Sequence, residues 1–269
     1  MSYLKRMAVL AVTVVGLLVP ASSAMAAPSP GFGEFADCPS KSVNAAISAC
    51  AKITVSSGSI KLGSKTTPIT DPIVLTESLI APDGNTVVGS FDGGRQLVPG
   101  GLVGITGLEY LHWLFPFSLL QLYAVSELAG QPSNPLGEPV VLPLKVKLES
   151  ALLNNTCRIG SNTNPITLNL ITGTTNPPPP NTPITGTFGT FAPDPVLPGV
   201  VRFTGFTLVD NEFAVPGANG CDLFGFGLIN ALVNSQVGLP SPAGNNSAIQ
   251  NAKIDLAAIE AVYQPDGID

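Results

Sequence analysis

The chain has 269 residues, 28 of them Gly and 26 Pro, with 11% charged and 45% hydrophobic residues and a formal net charge of −6. It is too apolar and too poor in charge for a disordered chain. Its helix breakers exclude an extended coiled coil, and the absence of Gly at every third position excludes a collagen-like chain.

The N-terminus carries Lys5 and Arg6, then an apolar run over residues 7–18, then Ala24-Met25-Ala26. A positive region, a short apolar run and an A-x-A site predict a cleaved export signal over residues 1–26, with a mature chain from Ala27. The run is short for a membrane span, which needs about 20 residues. Without the signal the chain holds 10 basic and 18 acidic residues, a formal charge of −8. That argues against nucleic acid as a partner, because phosphate-backbone binding needs basic surface.

Residues 27–57 form an N-terminal segment bracketed by Cys38 and Cys50, with a short helix expected over residues 42–51. Cys157 and Cys221 complete an even set of four, which in an exported chain predicts disulfides. Of the three pairings, Cys38–Cys50 with Cys157–Cys221 is favoured, since the first pair brackets one short segment. Zinc is disfavoured, because there is no C-x-x-C and His112 is the sole histidine. No cofactor is expected.

Strands are expected over residues 59–62 and 69–79, the second interrupted by Asp71-Pro72. Turns at Asp83-Gly84 and Asp92-Gly93-Gly94 enclose a strand over residues 86–91. Residues 140–148, 166–171 and 200–209 show further strand patterns. Residues 223–237 read as an amphipathic helix with Leu228, Leu232 and Val233 on one face. Residues 248–263 fit a strand by analogy, or a helix by their own composition. The fold class expected is mainly β with a few short helices, alternatively α+β.

The chain repeats itself. Residues 61–70 match residues 158–167 at six of ten positions. Further matches follow in the same order: 85–91 with 181–188, 98–100 with 197–199, 103–108 with 201–206, and 114–120 with 223–229. Collinear order predicts a tandem duplication of a unit of about 100 residues. The first β-rich unit spans residues 58–154 and the second 155–269, packed as a pseudo-symmetric sandwich or barrel-like pair. The proline run at residues 176–181 falls opposite a turn of the first unit, so it reads as a surface loop rather than a linker.

Residues 102–125 are the most apolar part of the mature chain and include Trp113, Phe115, Phe117 and Leu120. One reading is a buried helix pair at the unit interface, broken at Pro116. The other is a surface that contacts a membrane or an apolar ligand. Glu109 and His112 argue against a simple membrane span. A Ser–His–acid triad would have to use His112, and no G-x-S-x-G elbow is present. Asp210-Asn211-Glu212 reads as a solvated turn, and no catalytic residue is nominated.

Phe35-Ala36-Asp37-Cys38-Pro39, Cys50, Gly63-Ser64 with Pro68-Ile69, and Cys157-Arg158-Ile159-Gly160-Ser161 with Pro165-Ile166 form a recurring set, joined by Pro216-Gly217-Ala218-Asn219-Gly220-Cys221 and Gly238-Leu239-Pro240-Ser241. This set resembles a group of secreted proteins of high-GC Gram-positive bacteria, over most of the mature chain. The resemblance implies a compartment and no activity. The expectation is an exported, non-catalytic protein of the cell envelope or extracellular space with a binding or structural role. The alternatives are a carrier of an apolar ligand or membrane-interacting protein, and a carboxylate-based hydrolase. Candidate partners are a lipid, a membrane or an envelope component.

Overall fold

The computed structural model describes residues 27–82, 84–102, 120–135, 137–222 and 228–264. Its strands, in chain order, are β1 (Ile47–Leu62), β2 (Lys65–Pro68), β3 (Ile73–Ile80), β4 (Thr86–Asp92), β5 (Arg95–Leu97), β6 (Tyr123–Leu128) and β7 (Val140–Glu149). There follow β8 (Arg158–Ile159), β9 (Ile166–Leu170), β10 (Thr190–Pro193), β11 (Val200–Asp210), β12 (Ala218–Asn219) and β13 (Ser247–Ala258). The helices are α1 (Leu228–Val237) and α2 (Ile259–Val262).

These strands make two antiparallel sheets. The first runs β10-β11-β13-β1-β3-β4, with β2 paired to β1. The second runs β12-β8-β7-β6-β5, with β9 paired to β7. Both halves of the chain feed both sheets: β1 to β4 join β10, β11 and β13 in the first, and β5 to β7 join β8, β9 and β12 in the second. The architecture is a mainly β sandwich, in which two inner faces bury one shared core.

That core is built by alternation. In β9, Ile166, Leu168 and Leu170 are buried while Thr167 and Asn169 are exposed. In β7, Leu144, Val146 and Leu148 face inward. Two bulges change which residues point in. In β1 the register shifts between Val55 and Ser57, so the inward set passes from Ile53 and Val55 to Ile60 and Leu62. In β11 it shifts between Phe203 and Phe206. Gly205 absorbs that bulge at φ +76, a left-handed value costly for other residues.

A second, smaller core lies on the outer face of the first sheet. It joins Phe32, Phe35, Ile47 and Val200 with Ile259 and Val262 of α2. The N-terminal segment lies against it. The Ser78 hydroxyl donates to the Pro39 carbonyl at 2.6 Å, and the Tyr263 hydroxyl donates to the Cys38 carbonyl at 2.5 Å. β3 is therefore covered on both faces, and its burial is nearly continuous instead of alternating.

The disulfides are Cys38–Cys50 in the outer core and Cys157–Cys221 in the inner one, the favoured pairing. Two cross-linked pairs fit an oxidising, extracellular environment. Among the described residues, no helix is long and apolar enough to cross a membrane.

Three local expectations are corrected, and an open one, residues 248–263, is resolved mostly as strand. The helix expected over residues 42–51 gives way to β1 from Ile47 onward. Cys50 pairs with Ala257 on one side and Ser78 on the other, and a short apolar run has too little local stability to resist two ladders. The Leu228/Leu232/Val233 face is not the buried one. Val233 and Val237 are buried, while Leu228 and Leu232 are exposed. Asn230 and Asn234 complete the packed face by accepting from the Cys221 and Ala218 N–H groups at 2.9 and 2.7 Å. Residues 248–263 hold both alternatives in succession, β13 and then α2. Asp210 and Asn211 are buried ties, not a solvated turn. The Asp210 carboxylate accepts from the Asn169 and Glu212 N–H groups at 2.6 and 2.9 Å, and Asn211 donates to the Thr182 carbonyl at 2.8 Å.

Candidate functional site: an apolar cavity with a buried carboxyl

Between the two sheets lies a cavity of about 250 Å³. Ile53 and Val55 of β1, Ile73 and Leu75 of β3, and Ile254 of β13 form one wall. Leu142 and Leu144 of β7 and Leu170 of β9 form the other. The β11 bulge brings both Phe203 and Phe206 to this space, and Phe188 completes an aromatic corner. The Phe188 and Phe206 rings meet edge to face with centroids 5.0 Å apart. Phe203 lies 6.3 Å from Phe206 and 5.7 Å from Phe191. Phe188 lines the cavity yet is 66% exposed, and Phe191 is 67% exposed. The aromatic corner is thus where the cavity meets solvent. A concave, apolar space with few polar groups is the usual form of a small-molecule site.

One group in the lining breaks the apolar pattern. Glu77 follows Ile73 and Leu75 on the inward face of β3 and has 0% exposure. Its position is fixed by pairing to Ala51 of β1 and Val88 of β4. Neither carboxylate oxygen has a hydrogen-bond partner. Burial pushes its pKa from 4.5 up to about 7, and the Thr86 hydroxyl pulls weakly the other way without reaching hydrogen-bond geometry. Buried polar groups are normally satisfied, so an orphaned carboxyl facing a cavity needs an explanation. Gln250 of β13 also lines this space. Glu138, the remaining acid there, is engaged at the Thr172 N–H (2.9 Å) and hydroxyl.

The residues singled out in the sequence fall elsewhere. The four cysteines form one disulfide inside each core. Trp113, Phe115, Phe117 and His112 lie outside the described residues. Leu120 is half-buried and its carbonyl accepts from the Leu102 N–H at 2.9 Å. It lines a separate cavity of about 170 Å³ together with Leu152, Ile229 and Val233. Glu77, Phe188, Phe203 and Phe206 were not nominated, although an acid at an inward position of the Ile73–Ile80 strand was a usable signal.

A second cluster, on the outer face of the first sheet, is fully paired. Arg202 meets Glu34 at 2.7 Å, Asp194 at 2.8 Å and the buried Asp255 at 3.0 Å, and Lys253 meets Asp255 at 3.0 Å. The Leu197 and Val196 N–H groups, with Arg202, hold the Asp194 pKa down to about 2. This cluster joins the N-terminal segment to the sheet and leaves no open valence for a ligand. Among the described residues, no group of three or more His, Cys, Asp or Glu is placed to hold a metal.

Comparison with known proteins finds no matching family model, no similar curated protein and no similar solved structure. The site itself must carry the functional argument.

Proposed function

We propose that this is an exported binding protein of the cell envelope or extracellular space, released by cleavage near Ala26, whose intersheet cavity holds a small apolar molecule. The observation that carries the reading is the cavity of about 250 Å³ with aliphatic walls, opening at exposed Phe188. The two disulfides support the compartment. A void of this size forfeits packing energy in a protein that has no use for it.

The test is native mass spectrometry with organic extraction of the protein purified from its own culture supernatant. A bound apolar molecule is expected. Leu142→Trp, which fills the cavity from a half-buried position, should lower uptake of N-phenyl-1-naphthylamine at least about tenfold. A ligand-free mass together with no dye uptake would overturn the reading.

A further inference from the structure

The cavity is one-sided in charge. Among the described residues its lining holds two acids, Glu77 and Glu138, and no Lys, Arg or His. Glu138 already has partners in Thr172. Glu77 has none, and no water-exposed surface. On the other side of the same cavity, with β13 and β1 between β11 and β3, Phe203 and Phe206 join Phe188 in an apolar aromatic wall suited to a ligand's hydrocarbon body.

We propose that the cavity recognises an amphiphile with an apolar body and a cationic ammonium head, the head pairing with the Glu77 carboxylate. This rests on the reading of the cavity as an apolar-ligand site and names the ligand's chemistry. A carboxylate ligand would meet two acids and no cation. A plain hydrocarbon would leave the Glu77 oxygens orphaned, which is costly in an apolar setting. An alcohol supplies one hydrogen bond and no charge. An ammonium supplies the missing counter-charge.

The pairing has a proton balance. In the free protein burial raises the Glu77 pKa to about 7, which favours the protonated carboxyl. Binding a fixed cation favours the carboxylate, so the protonated fraction releases H⁺ to solvent. No bond other than this O–H is broken. Beside Glu77 stand Ala51 from β1 and Thr86 and Val88 from β4, while Ser126 from β6 and Gln250 from β13 share its cavity lining; among the described residues Glu138 is the other titratable group there. Ammonium affinity should therefore rise with pH up to about 7 and level off above it.

Calorimetric titration of the disulfide-intact mature protein with octyltrimethylammonium, octanol and octanoate, at pH 6 and pH 8, tests this. The ammonium should bind at least about tenfold more tightly than octanol, with octanoate weakest. Glu77→Gln should abolish the ammonium preference and the proton release while leaving octanol binding in place. Octanol or octanoate binding as tightly as the ammonium would overturn the inference and leave the apolar-ligand reading standing. Failure of all three to bind would overturn the inference, and a ligand-free native mass with no dye uptake would remove the reading beneath it. If Glu77→Gln does not fold, the wild-type order of the three probes decides.

Discussion

Asp255 and Glu77, two of the three acids buried in the first sheet, lie on opposite faces of it. Asp255 on β13 faces outward and is 1% exposed, yet both its oxygens meet a cation, Arg202 and Lys253, each at 3.0 Å. Glu77 on β3 faces inward, is equally buried, and meets no partner. The fold had the means to neutralise a buried carboxylate and used it on only one face. The outer acid is a structural tie between β13, β11 and the N-terminal segment. The inner one is left for something the described chain does not supply.

The largest effect should come from breaking the outer pair. Removing both cations, as Arg202→Met with Lys253→Met, strands Asp255 as an uncompensated buried charge and should cost about 3–5 kcal/mol, read as a lower denaturation midpoint at unchanged slope. The inner acid should act through pH. Its folded pKa of about 7 lies above the unfolded 4.5, so its contribution is intact below 4.5, is lost as pH rises to 7, and stays lost above. The loss amounts to about 3 kcal/mol. The difference between wild type and Glu77→Gln across pH 4.5 to 7 isolates it, and parallel stability curves would refute it.

Removing Cys38 and Cys50 together, as Cys38→Ala with Cys50→Ala, should cost about 3 kcal/mol for a short closed loop. It should also release the segment that packs behind β3, lowering stability while leaving the Glu77 pH dependence recognisable. The smallest effect on stability belongs to the cavity mouth. Phe188→Ser, at an exposed site in the cavity lining, should change stability by no more than about 0.5 kcal/mol. It should still weaken ligand binding, read by the same dye uptake.

Much of the frame was legible in the sequence, for local reasons. The strand at Val140–Glu149 announces itself by alternation, and Cys38–Cys50 by bracketing one short segment. Pairing across long stretches was not legible. Residues 47–51 looked helical because nothing nearby shows that strands from both halves flank them. The site was missed for two reasons. Glu77 is a single acid in an apolar strand, without a motif. Phe203 and Phe206 share a face only because Gly205 bulges, and a strict period of two puts them on opposite faces. The aromatic run at residues 113–117 is the stronger apolar signal in the sequence, and it lies outside the described residues.

The pairing of β1 with β13 has a consequence in time. The first long strand lies at the centre of its sheet and pairs from Ala49↔Ala258 to Lys61↔Ser247, almost the full span of the described residues. Hairpins such as β3–β4 and β6–β7 can form as soon as they are made, but the sandwich cannot close until its last strand arrives. A chain stopped short of Ser247 would leave β1 and β11 each with a bare edge, a template for aggregation. Ordered late in the chain, β13 makes completeness itself a condition of folding.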